Sequence, residues 1–217
     1  MAAERSRGKV ALPRALAGFE SIRRYVNATG VPTARILPGE YYVTCEDEVI
    51  DTVLGSCVAA CIRNPKRGIG GMNHFMLPRP SGSANDAWEK VAGRGTRYGS
   101  ASMEQLINRV LGIGGTRQEL EVKIFGGGRV VPSLSDIGAR NLDFVRDFLR
   151  HEGLKIVAED AGDTCSRHVQ YFARSGRVRV RHLKVQTLDV GKREQRYLER
   201  LDQTPVAGEI DLFQGHP

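Results

Sequence analysis

Helical and strand periods alternate along this chain. Leu16, Phe19, Ile22 and Tyr25 recur three apart behind Pro13, predicting a helix over 13–27 that Thr29-Gly30-Val31-Pro32 ends. After a Pro38-Gly39 turn, short apolar runs predict strands over 40–44, 48–54, 58–63 and 69–77, the last two hinged by Asn64-Pro65-Lys66-Arg67-Gly68. A Pro/Ser/Gly loop over 78–86 leads to a helix over 98–113, marked by Met103, Leu106, Ile107 and Val110. A strand over 121–125 runs into Gly126-Gly127-Gly128. The clearest helix is 137–151, with Leu142, Val145, Phe148 and Leu149 on one stripe and Gly153 as its stop. A strand over 154–159, a hairpin of 169–172 with 178–185 about Ser175-Gly176, a charged helix over 191–201 and a tail over 208–217 complete the order. Strands outnumber helices and many are joined as hairpins. The fold class is therefore α+β, a layered sandwich of mixed, hairpin-rich sheet packed with helices, rather than a doubly wound parallel sheet.

Apolar residues make up 41% of the 217 and charged residues 26%, which suits one folded body with modest tails. Three regions are expected: a basic N-terminal extension with its helix over 1–35, disordered through about residue 12, a catalytic body over 36–184, and a C-terminal extension over 185–217. The net charge of +7 points to an acidic partner. The densest basic group, Arg174, Arg177, Arg179, Arg181 and Lys184, alternates with apolar residues and reads as the solvent face of a strand. No nucleic-acid motif accompanies it, so no nucleic-acid partner is expected. The first thirty residues lack the apolar run of a secretory signal, and no stretch approaches a bilayer span. A cytoplasmic protein is expected, with Cys45, Cys57, Cys61 and Cys165 as free thiols.

Chemistry concentrates in residues 51–78. If Pro65-Lys66 form the centre of a tight hairpin, Cys57 and His74 lie directly opposite, with Cβ atoms about 4.5–5.5 Å apart on one face. An imidazole so placed lowers a thiol's pKa and yields a thiolate nucleophile. Gly55-Ser56 turns the chain sharply into Cys57, and the N–H groups there are candidate oxyanion donors, with Ser56, Gly55 and Asn73 as the candidate oxyanion or substrate groove. Gly68, Gly70 and Gly71 thin the facing strand and leave room for a substrate strand. Asp51 and Thr52 are the nearest groups to orient the imidazole. The plainer reading is a cysteine that fills the core and a histidine that is structural. A zinc site from Cys57, Cys61 and His74 lacks a second ligand pair of standard spacing. Gly126–Gly128 lacks the Lys-Ser/Thr of a phosphate loop and reads as a strand-to-loop turn.

At these residues the chain resembles the chemoreceptor glutamine deamidase family of bacterial chemotaxis. The resemblance is carried by Leu54-Gly55-Ser56-Cys57-Val58-Ala59, by the run 68–78, by Arg97-Tyr98-Gly99, by Lys123-Ile124-Phe125-Gly126-Gly127-Gly128, by Ile137-Gly138 with Arg140-Asn141, and by Glu159-Asp160 with Gly162 and Arg167. It covers 36–184 and extends through 36–42 and 208–213. The resemblance implies a layered fold related to the catalytic domains of certain bacterial deamidating toxins. It also implies a Cys-His-Thr triad, in which Cys57 matches the nucleophile and His74 the base. The third place falls on Thr52, with Asp51 where some members carry the threonine. Asp163 stands where members often have a second glycine.

The resemblance further implies hydrolysis of a glutamine side chain on methyl-accepting chemotaxis receptors through a thioester, and of glutamate methyl esters by the same chemistry, with no metal or cofactor. The chain would approach the membrane only through those receptors. Two rivals predict other outcomes: a non-catalytic adaptor of the same fold that docks on receptors or on a chemotaxis phosphatase, and a general cysteine protease that would cut the receptor backbone.

Overall fold

A computed structural model describes residues 10–77, 88–130, 135–183 and 188–203. The expected loop over 78–86, the tail over 208–217 and Lys184 lie outside the described residues. Alternating and continuous apolar runs form the strands β1 (Arg23–Val26), β2 (Pro32–Arg35), β3 (Tyr41–Thr44), β4 (Val49–Leu54), β5 (Val58–Asn64) and β6 (Ile69–Asn73). The helix α1 (Trp88–Leu111) follows, then β7 (Glu121–Gly126), α2 (Ser135–His151), β8 (Ile156–Ala161), β9 (Ser166–Phe172), β10 (Arg177–Leu183) and α3 (Leu188–Gln203).

The strands make two five-stranded sheets, ordered β1-β2-β4-β9-β10 and β3-β6-β5-β7-β8. Pairing is antiparallel except for β2 with β4 and β7 with β8, so both sheets are mixed. Helices α1 and α2 cover the second sheet, which leaves β5 and β6 buried on both faces. The α+β class with layered, hairpin-rich sheets is what the pattern predicted. Strand β10 is an edge strand, and its Arg177, Arg179 and Arg181 are exposed as the alternation required.

Three expectations are corrected. No helix forms over 13–27. Gly18 takes φ +91° and interrupts it, and Arg23–Val26 pairs with β2 as a hairpin instead. The Asn27 side chain organises that turn by accepting from Thr29 N, Thr29 Oγ1 and Val31 N at 2.8–3.0 Å. Four apolar residues three apart were too short a run to hold a helix against a built-in turn and a pairing partner.

The β5–β6 register is also shifted. Cys61 pairs with Met72 and Val58 bridges Phe75, so a four-residue turn, not a two-residue one, joins the strands. Cys57 and His74 are therefore diagonal neighbours rather than direct partners. The shift is even, and side chains alternate with period two, so the two stay on one face. Finally, Gly70 and Gly71 leave no room for a substrate strand. A Cβ at Gly70 would meet Ala173 O at 2.7 Å, and one at Gly71 would meet Val43 Cγ2 at 2.6 Å and Tyr42 O at 2.7 Å. These glycines admit the protein's own packing.

Candidate active site

Strand β4 belongs to the first sheet and β5 to the second, so the Gly55-Ser56-Cys57 turn crosses between them. Its three carbonyls face a support. Gly128 N–H donates to Gly55 O at 2.7 Å, Asn141 Nδ2 to Ser56 O at 2.8 Å and Gly127 N–H to Cys57 O at 2.8 Å. The triple glycine is thus the floor beneath the turn. Gly126 and Gly127 take φ +104° and +67°, which favour glycine. Arg167, 2% exposed, holds the next layer by donating to Asp160 Oδ1, Gly162 O and Cys165 O at 2.8–3.1 Å. Asp163 takes φ +62°. Aspartate tolerates this conformation, and its Oδ1 accepts Thr164 N–H.

With its carbonyls tied down, the turn directs its N–H groups the other way. Those of Gly55, Ser56 and Cys57 converge on one point, now filled by the Glu194 carboxylate of α3 at 2.7–3.1 Å. Such a nest of successive N–H groups binds anions. Gly55 allows the close approach, because a Cβ there would meet Glu194 Oε2 at 2.7 Å.

His74 follows β6, where its own N–H donates to Glu40 O at 2.9 Å and its O accepts Gly39 N–H at 2.7 Å. Thr52 Oγ1 donates to Ile36 O at 2.8 Å and lies 2.8 Å from His74 Nδ1. A hydroxyl has one proton, so toward the ring it accepts, and Nδ1 carries the hydrogen. Nε2 is then the bare nitrogen. It is buried with no hydrogen-bond partner among the described residues. The Cys57 sulfur, a His74 ring nitrogen and a Glu194 oxygen lie within 4.8 Å of one another.

Of the two candidates on β4, Thr52 thus meets the imidazole. Asp51 points to the opposite face, where it bonds Arg35 and His168. Asn73 does not reach the site. Its Oδ1 accepts Ala60 N–H at 2.8 Å and its amide donates to Ser102 on α1. It stands in for a ladder bond where the β5–β6 pairing stops at Cys61 and Met72. Glu194 was missed. Its signal was a lone acid on the stripe Val190, Tyr197, Leu198 and Leu201, at helical spacing.

Burial, with the Glu194 charge second, pushes the Cys57 thiol well above its usual range. Burial lowers His74 from 6.5 to about 3. A histidine kept neutral in the fold takes up a proton on unfolding. Its contribution is full above pH 6.5 and is lost as pH falls toward about 3. The slope is at most about 1.4 kcal/mol per pH unit. His74→Gln is expected to flatten that part of the pH dependence, read by urea unfolding of both proteins at neutral and mildly acidic pH.

The thiol, imidazole and carboxylate resemble a metal-ligand set, but the carboxylate's lone pairs are already taken by four donors: Gly55 N, Cys57 N, Ser56 N and Ser56 Oγ. Cys61 is outside the group. Among the described residues no helix is long and apolar enough to cross a membrane.

Comparison with known proteins places these residues in a context. A family model described as CheD chemotactic sensory transduction matches residues 76–182. The probable chemoreceptor glutamine deamidase CheD of Halorhodospira halophila is 50% identical over 216 residues, covering 98% of this chain and 99% of that protein. Its namesakes in Hahella chejuensis and Thiobacillus denitrificans are 45% and 51% identical, over 93% and 83% of this chain and 95% and 89% of theirs. A solved structure, the Bacillus licheniformis hypothetical protein YfiH, overlaps 55% of this chain and 49% of its own at 18% identity with a TM-score of 0.34, too slight a likeness to place the fold.

Proposed function

This chain belongs to the CheD family of chemoreceptor glutamine deamidases, and from that premise we propose that it deamidates glutamine side chains on chemoreceptors with Cys57 as nucleophile, His74 as base and Thr52 as positioning residue. The observation that carries the reading is the unpartnered His74 Nε2 beside the Cys57 thiol, at the mouth of a turn whose N–H groups converge.

The chemistry follows. His74 Nε2 takes the thiol proton, and the sulfur attacks the side-chain carbonyl carbon. The oxygen becomes an oxyanion, and the N–H groups of the Gly55–Cys57 turn receive it. The C–N bond breaks as His74 returns the proton to nitrogen, and ammonia leaves. Water then gives a proton to Nε2 and attacks the thioester. The C–S bond breaks, which leaves glutamate and the free thiol. A methyl ester follows the same course with methanol leaving. On this reading the protein acts in the cytoplasm, on the cytoplasmic region of the receptors. A chemotaxis phosphatase as a second partner is an expectation of the same family. The test is mass spectrometry of a purified receptor cytoplasmic fragment incubated with the protein: glutamine turned to glutamate at specific positions supports the reading.

Thr52 acts through the ring, so its loss is expected in kcat rather than KM. Thr52→Val should cost about 100-fold, through a freed tautomer and ring. Thr52→Ser keeps the acceptor and should recover most of it. Equal loss in both variants would count against the positioning role.

A further inference from the structure

Glu194 lies 137 residues beyond Cys57, on a helix outside the sheets, yet its carboxylate takes every donor of the nucleophile's turn. Oε1 accepts Gly55 N–H at 2.7 Å and Cys57 N–H at 3.1 Å, and Oε2 accepts Ser56 N–H and Ser56 Oγ–H, both at 2.7 Å. The residue is 1% exposed, and the described residues give it no ion-pair partner. Burying an anion without a cation is costly, and only dense hydrogen bonding offsets it.

Helix α3 is docked to deliver this group. Leu198 is fully buried, Val190 nearly so, and the Tyr197 hydroxyl bonds that of Tyr98 while packing over Gly39. A cleft lined by Ile36, Leu37, Thr52, His74, Val190 and Glu194 runs beneath the helix to the imidazole. Cys57 itself has no exposed surface. A buried carboxylate beside the thiol also opposes thiolate formation, which is the reverse of what a nucleophile's neighbour should do. As a member of the machinery Glu194 would be adverse. As an occupant of it, Glu194 has a clear chemical identity, for a glutamate side chain is the product of glutamine hydrolysis.

We infer that Glu194 is a built-in product mimic: α3 holds a glutamate carboxylate in the subsite where the substrate's carboxamide oxygen binds, and so keeps the enzyme closed until the helix lifts. The inference rests on the deamidase reading of the site. Product carboxylate and α3 then compete for one nest of N–H groups. The substrate must displace the helix, or a partner must draw it away.

The test uses the full-length chain. Cys57 is alkylated with iodoacetamide in the wild type and in Glu194→Ala, with each thiol followed by peptide mass. Glu194→Ala should speed modification of Cys57 at least about tenfold, through exposure and the lost negative charge. Cys61, buried in β5, reports unfolding and should stay unmodified. If it reacts, the same reading is made on the isosteric Glu194→Gln. A rate unchanged or slowed in a folded variant overturns the inference.

Glu194→Gln carries a second readout, since it presents a carboxamide in the proposed subsite. Glutamate should return at that position, and should not in a chain that also carries Cys57→Ala. Glutamine persisting there in a chain that converts receptor glutamine would overturn the mimicry. Faster alkylation with no glutamine converted, on this chain or on a receptor fragment, would keep the plug and sink the deamidase reading. Conversion of the receptor with no effect of Glu194→Ala on either rate would do the opposite.

Discussion

Replacing Cys57 by alanine is expected to lower conversion of receptor glutamine to glutamate by about 10,000-fold or more, because the step that splits the amide loses its nucleophile. No neighbour can take over. Ser56 Oγ makes no hydrogen bond to His74 among the described residues, and Cys61 lies four residues further along the chain, buried in β5. His74→Ala should cost nearly as much, and the double variant little more, since thiol and imidazole act as one unit. Mass spectrometry of the receptor fragment reads the conversion, and co-sedimentation reads binding, which Cys57→Ala should retain. An adaptor would convert nothing in the wild type and lose nothing in the variant. A protease would release fragments.

The largest effect on the fold is expected at Gly126. An added Cβ would overlap the carbonyl oxygen of Cys57, a backbone atom that cannot rotate away, at a φ of +104° that alanine resists. Gly126→Ala should destabilise the protein by about 3 kcal/mol or more, strain and overlap together. For a chain of this size that is a fall in Tm of about 6–12 °C. The displaced part is the floor of the Gly55–Cys57 turn, so activity should fall even at temperatures where the protein is folded. Gly153→Ala is the control. It also has a positive φ, +67°, but nothing lies within 4 Å of the added Cβ, so only the conformational cost remains. If the two variants lost equal stability, the packing under Cys57 would not be the cause.

Apolar period and turn residues by themselves determined much of this protein. The strands from Tyr41 to Asn73, the helix that buries Leu142, Val145 and Leu149, and the β9–β10 hairpin with its outward arginines were legible because local alternation and burial agree there. Cys57 and His74, the proposed nucleophile and base, stood out in Gly-Ser-Cys followed by a strand and a histidine. Their shared face survived a register error because the error was even. Tertiary structure decided the rest. It placed Thr52 against the ring and Asp51 on the far face, a one-residue distinction set by which side of β4 meets the second sheet. It made a hairpin of Arg23–Arg35, whose apolar spacing fits a helix equally well until β4 offers an edge to pair with. It filled the space beside Gly70 and Gly71 with the protein's own backbone and side chains. And it brought Glu194 to Cys57 from 137 residues away, a contact between a charged helix and a distant turn that no local pattern encodes.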